Sequence, residues 1–444
     1  MKGLVLGGTR SGVGKTVAAL AVMEALEADG HDVQPAKAGP DFIDPSHHEA
    51  VTGTPSRTLD LWLEGEAGLR RNYHRATGDL CVVEGVMGLY DGDGSSTAMV
   101  AEVLDLPVVL VVDAKAGMES VAATALGFRA YADRVGRDID VAGVLVQRAH
   151  GGRHESGIRE ALPAELTYFG RIPPSDDLTI PDRHLGLHMG EEATLPTESL
   201  REAGEAVRTD RLAAVAREPP GPATRRGDEP TADGPPIGVA RDPAFCFTYP
   251  ATLERLRSLA DVETFSPLAG DGLPEVDGIY LPGGYPELHA ERLADSETLA
   301  AVGDRARAGL PVLGECGGFI ALADSLTTTD GDTYGMAGVL PAEVEMCDRY
   351  QALDHVEMAA TDDAPGPMVG ETYRGHEFHY SRADVDSDGR FACEVERGDG
   401  IVDGRDGLLE HRTLGQYCHC HAASGLFDAL VEWASGSSVS APND

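Results

Sequence analysis

The chain has 444 residues, 42% of them hydrophobic, enough for two or three domains that each bury a core. Against 36 Lys and Arg stand 74 Asp and Glu, a formal net charge of −38 spread along the sequence. That balance argues against nucleic acid or an anionic membrane as partner and suits a surface kept hydrated at high salt.

No apolar run approaches the ~20 residues that span a bilayer. The N-terminal MKGLVLGG enters a glycine-rich loop too soon to be a signal peptide. Seven scattered cysteines read as reduced thiols, so the expected setting is the cytoplasm.

Up to about residue 195, short apolar runs alternate with helical stretches: GLVLGG, DVQPAKAG, DLCVVEG, LPVVLVVDA and VAGVLVQRA. The runs are continuous rather than alternating, as in parallel strands covered on both faces, which predicts an α/β, doubly wound domain over 1–195. A helix and a linker rich in proline and charge are expected over 196–236. A second α/β series over 237–436 contains PIGVARD, DVETFSP, VDGIYLPGG, LPVLGECGG, GMAGVLPAEVEM and GQYCHCHAA, and the polar tail 437–444 is expected to fray.

The run GGTRSGVGKT, Gly7 to Thr16, joins the first strand to an apolar helix. Its glycines, among them Gly12 and Gly14, let backbone N–H groups fold around phosphate oxygens. Lys15 brings a point charge to the terminal phosphates, and the Thr16 hydroxyl can ligate magnesium. Spacing departs from the common phosphate loop because Thr9, not a glycine, stands five residues before Gly14. That longer spacing resembles dethiobiotin synthetase and its relatives, with Gly8 and Thr9 filling the GT of their loop. Arg10 falls where related partitioning ATPases carry a signature lysine.

KAGPDFIDPSHH places Lys37, Asp41 and Asp44 at the end of the second strand candidate, and VVEGVMGLYDG places Glu84 at the end of the third. In a parallel sheet these ends share one edge with the phosphate loop. Asp41 and Glu84 are therefore expected to hold Mg2+ with Thr16, and Lys37 to neutralise a transferring phosphoryl group. Asp44 reads equally well as a solvated charge.

In the second half, LPVLGECGGF reproduces a strand, a sharp turn and a helix with Cys316 at the turn. Such an elbow exposes the side chain, faces it with a helix N-terminus expected to lower the thiol pKa, and offers N–H donors, Gly317 among them, to an oxyanion. Gly283 and Gly284 of LPGGYPELHA supply a second glycine turn for the same purpose, and His419 of GQYCHCHAASG is the candidate base. CHCH, 418–421, also has zinc-ligand chemistry, but neighbouring strand residues point to opposite faces and make one compact site awkward. RGHEFHYS, with His376, Glu377 and His379, lacks the zinc-protease spacing and reads as a binding surface.

An oxyanion turn, then Cys, then His about a hundred residues later resembles class I glutamine amidotransferases, with a flavodoxin-like fold. With the runs GTRSGVGKT, KAGPDFIDPSHH, VEGVMGLYDG, IPDRHLGL, RDPAFCFTYP, LPGGYPELHA, ECGGFIALADSL and RGHEFHYS in this order, the chain resembles the cobyrinate a,c-diamide synthase family of the cobalamin pathway. The resemblance implies ATP-dependent amidation of the a and c acetates of a corrin through an acyl phosphate. Ammonia would come from a Cys316 thioester assisted by His419, with Mg2+ as cofactor and ATP and glutamine as cosubstrates. The expected partners are the corrinoid, ATP and glutamine, with self-association into a homodimer and neither nucleic acid nor membrane.

Two positions depart from the pattern. His421 stands where many class I enzymes have the glutamate that orients the base, and Gln147 where relatives tend to have an asparagine near the nucleotide base. A nickel sirohydrochlorin a,c-diamide synthase shares the architecture. From another class, a nucleotide-dependent switch resembling a partition module would keep a non-catalytic amidotransferase domain.

Overall fold

In the computed structural model the described residues are 1–436, apart from 116, 181, 184, 185, 194, 222–233, 365 and 367 and the side chains of 182–187. Residues 222–233 of the charged linker, the 437–444 tail, and Pro181, His184 and Leu185 of IPDRHLGL therefore lie outside the described residues. Two compact units emerge, Met1–Arg225 and Arg226–Asp444.

The first unit is built on seven strands: β1 (Lys2–Gly8), β2 (Val33–Ala38), β3 (Arg57–Leu59), β4 (Leu80–Glu84), β5 (Val108–Asp113), β6 (Val141–Gln147) and β7 (Thr167–Ile172). They pair in the order β3-β2-β4-β1-β5-β6-β7, all parallel. Alternation along each strand explains why both faces need cover. Leu4, Leu6, Val82, Val109 and Val111 face a core that includes α1 (Lys15–Ala28) and the later helices Thr197–Gly204 and Thr209–Val215. Val5, Val83, Val108 and Leu110 face the opposite core, with Leu69, Ala98, Val121 and Ile158 from the covering helices. The chain leaves β1 toward β2 on one side and returns past it to β5 on the other, so the end of β1 is a switch point where a ligand crevice opens.

The second unit has a ten-stranded mixed sheet. Its parallel half runs, in spatial order, through Asp261–Phe265, Pro236–Ala240, Gly278–Leu281, Val312–Glu315 and Thr413–Gln416. Antiparallel strands extend it, ending with Thr372–His379 beside the two-residue strand His419–Cys420. Helices Pro250–Leu259 and Leu426–Ala434 supply Leu256, Phe427 and Leu430 to its core. Among the described residues no helix is long and apolar enough to cross a membrane.

Candidate active sites

In the first unit the loop after β1 wraps toward α1 through Gly12 and Gly14, both at positive φ. Gly14 is the helix N-cap at φ 92°, and a Cβ there would stand 2.9 Å from Gln147 Nε2. Glycine is required on both counts. Gln147, at the end of β6, donates its side-chain amide to the Gly14 carbonyl and is buried. Lys15 Nζ donates to the Met87 carbonyl at 2.7 Å. Burial, with Lys37 nearby, holds its ammonium below the usual lysine range.

Thr16 joins the carboxylates. Its hydroxyl lies 2.8 Å from Glu84 Oε1 and 3.2 Å from Asp44 Oδ1. Lys37, buried behind them, bonds Asp44 and lies 3.4 Å from Glu84 and 3.6 Å from Asp41. Asp44 is thus the carboxylate that shares Thr16 with Glu84, whereas Asp41 Oδ1 accepts Ile43 N–H at 2.8 Å at the start of α2 (Ile43–Thr52). Burial and the neighbouring Asp44 push Asp41 up to about 7. Although burial opposes it, Lys37 holds Asp44 below the usual carboxylate range. His48, not singled out from sequence, lies fully buried with Nε2 2.7 Å from Glu84 Oε2 and Nδ1 2.9 Å from Ser56 Oγ. Its only sequence signal was its place one helical turn beyond Asp44.

The second unit assembles the nucleophile. Cys316 has φ 46° and ψ −98°, a conformation that costs a non-glycine residue roughly 1–3 kcal/mol and marks a strained elbow. Its N–H donates to the Gln416 carbonyl at 2.7 Å, which ties the elbow to the neighbouring strand. The Gly283–Gly284 turn abuts both this elbow and the base. A Cβ on Gly283 would stand 2.3 Å from His419 Cε1, and one on Gly317 would stand 2.9 Å from Gly284 N. Phe247 N–H, from the RDPAFCFTYP run, bonds the Gly283 carbonyl at 2.9 Å and pins the turn.

The expected lowering of the thiol pKa is not what this environment gives. Burial, then the negative charge of Glu287, pushes Cys316 up to about 12, although the Gly317 N–H works the other way. Burial likewise lowers His419 to about 3, with His379 adding to the effect. The resting pair is therefore a neutral thiol and a neutral imidazole.

The CHCH run does not form a metal centre: among the described residues no three His, Cys, Asp or Glu side chains are placed to hold an ion. Cys418 and Cys420 face the apolar core, consistent with alternation along a strand. RGHEFHYS is not a binding surface, because His376, Glu377 and His379 are buried in the strand beside His419. The His376 ring stacks on that of His419 at 5.1 Å, and His379 on Tyr417 at 3.7 Å. Ring stacking for the two histidines, and hydrogen bonds from Asp399 and Gly400 N–H to the Glu377 carboxylate, compensate the burial of this run.

Residues 4–187 match the family described as CobQ/CobB/MinD/ParA nucleotide binding domain, and 236–427 the CobB/CobQ-like glutamine amidotransferase domain. A protein named cobyrinate a,c-diamide synthase from Halobacterium salinarum is 66% identical over 433 residues, covering 97% of this chain and 98% of its own. One of the same name from Haloarcula marismortui is 65% identical, with 97% and 98% covered. A hydrogenobyrinate a,c-diamide synthase from Pseudomonas aeruginosa is 38% identical, with 86% of each chain covered.

Proposed function

This chain belongs to the cobyrinate a,c-diamide synthase family, and we propose that its two sites divide that reaction between Cys316 with His419 in one unit and the phosphate loop with Thr16, Lys37, Asp44 and Glu84 in the other. The enzyme is a glutamine-hydrolysing, ATP-consuming ligase that amidates cobyrinate. Identity of 66% over almost the whole chain to a relative of that name carries this reading. It also favours the corrin over nickel sirohydrochlorin, and an enzyme over a nucleotide switch.

In the glutaminase half, Cys316 Sγ attacks the glutamine carboxamide carbon as its proton passes to His419. Gly317 and Gly284 N–H groups face the developing oxyanion. His419 returns the proton to the departing nitrogen, ammonia leaves, and water cleaves the thioester to glutamate. Starting from a neutral pair, the proton moves only as the sulfur–carbon bond forms. In the synthetase half, an acetate oxygen of the corrinoid attacks the γ-phosphorus and ADP leaves. Ammonia then attacks the acyl phosphate carbon and phosphate departs. Lys15 and Lys37 would balance the phosphoryl charge.

Hard oxygen donors on Thr16, Asp44 and Glu84 suit Mg2+, which would supply charge neutralisation on the phosphates. Since no three acidic side chains form a cage among the described residues, phosphate and water oxygens would complete its shell. A cytoplasmic homodimer acting without nucleic acid or membrane belongs to the same proposal and is tested by light scattering.

The test is mass spectrometry of cobyrinate incubated with enzyme, ATP, Mg2+ and glutamine in molar salt, beside hydrogenobyrinate and nickel sirohydrochlorin. Conversion of two carboxylates to amides on a corrinoid supports the reading; conversion of nickel sirohydrochlorin alone would overturn the substrate.

A further inference from the structure

His419 lies on a strand of two residues that pairs with Gly375 and His376. So short a ladder fixes a backbone poorly by itself. The carboxylate that would orient the ring cannot come from two residues downstream, because His421 stands there and its Nδ1 accepts Ala423 N–H at 3.3 Å.

Two buried carboxylates hold the backbone on either side of the base instead. Asp406 accepts Tyr417 N–H at 3.1 Å and Cys418 N–H at 3.3 Å. Glu315 Oε1 accepts Cys420 N–H at 2.9 Å, and its Oε2 accepts the Tyr280 hydroxyl at 2.6 Å. Glu315 is 1% exposed and Asp406 fully buried, and both accept hydrogen bonds from backbone N–H groups and, for Glu315, from the Tyr280 hydroxyl. Burial in such a place is costly unless hydrogen bonds to backbone donors compensate it. Glu315 adjoins Cys316, and Cys420 adjoins His419. A single side-chain bond therefore links the covalent neighbours of the nucleophile and the base.

We propose that Glu315 is a positioning residue for glutamine hydrolysis, fixing His419 relative to Cys316 through Cys420 N–H, with Tyr280 holding the carboxyl in its rotamer. The inference rests on the assignment of Cys316 and His419 given above. Orientation of a base contributes to turnover rather than to ground-state binding, so its loss falls on kcat. Glutamine at 315 can keep the Cys420 bond through its oxygen and donate to the Tyr280 oxygen through its amide. Methionine can do neither.

The experiment compares Glu315→Met, Glu315→Gln, Tyr280→Phe and Cys316→Ala in the full chain, with cobyrinate, ATP and Mg2+, using either glutamine or ammonium as nitrogen source. Glu315→Met is expected to lower the glutamine-dependent kcat by about tenfold or more, with KM for glutamine and the ammonium-dependent rate unchanged. Glu315→Gln is expected to restore kcat to within about threefold. Should Glu315→Met not fold, Tyr280→Phe must lower kcat several-fold at constant KM. Full glutamine turnover in a folded Glu315→Met or Tyr280→Phe, a loss confined to KM, or equal damage by Gln and Met would each overturn the inference. If Cys316→Ala still used glutamine, the site assignment itself would fall.

Discussion

Glu84 and His48 form a pair buried from solvent, with imidazole Nε2 2.7 Å from carboxylate Oε2 while the other carboxylate oxygen receives Thr16. The imidazole thus fixes which oxygen faces the phosphate loop. His48→Ala leaves that buried acceptor unpaired, at a cost of about 1–3 kcal/mol. A lower denaturation midpoint is expected, with amidation reduced equally for glutamine and ammonium because the defect lies in the synthetase half. A loss seen only with glutamine would contradict this placement.

Lys37 is the cation that lets Asp44 and Glu84 stand together away from water. Against the opposing effect of burial, it depresses Asp44 in the folded state. The associated stability is present above the unfolded carboxyl pKa of about 3.9 and is lost as pH falls through the folded value. Lys37→Met should therefore be much less stable than wild type at pH 7, with the gap narrowing as the pH falls below about 4. Urea unfolding across that range measures it.

Glu315 titrates in the opposite sense. Burial raises it to about 7, so between roughly pH 4.5 and 7 the folded chain holds a proton that the unfolded chain has released. Its contribution to stability consequently falls as pH rises through that window, by on the order of 3 kcal/mol. Glu315→Gln cannot ionise and should flatten that part of the stability profile. An unchanged slope would show that the carboxyl is already ionised at low pH.

Much of this was legible in sequence, for definite reasons. Strands β1, β4, β5 and β6 carry continuous apolar runs because both faces of a parallel sheet are covered, and their sequence reads as strand; β2 (VQPAKA) does so despite Gln34 and Lys37. β3 is only Arg57–Leu59, and β7 (TYFGRI) has a glycine and an arginine in its middle, so neither shows a comparable run. Cys316 declared itself through the glycines that its turn and close contacts demand. The roles of Asp41 and Asp44 could not be separated, since three residues along one segment set a helix cap apart from a partner of Thr16. Hydrogen bonds made across great sequence separation, such as Glu315 to Cys420, leave no periodic trace.

The neutral resting pair has a consequence for thiol chemistry. With Cys316 pushed up to about 12, its alkylation by iodoacetamide should rise about tenfold per pH unit from pH 7 to 10, followed at that residue by peptide mass spectrometry. A plateau near pH 6–7 would reveal a preformed thiolate.

Gly283 tests the packing of the base. The Cβ of Gly283→Ala would stand 2.3 Å from His419 Cε1, so the ring must move. Glutamine-dependent turnover should fall about tenfold or more while ammonium-dependent turnover persists. Equal loss with both would place Gly283 outside the glutaminase half.

The most direct test of the central claim is the nitrogen-source dependence of His419→Ala and Cys316→Ala, measured as diamide formed per ATP consumed. Both variants should form no diamide from glutamine and form it from ammonium at a rate close to wild type with ammonium. Retention of glutamine-dependent synthesis in either variant would contradict the division of the reaction between the two sites.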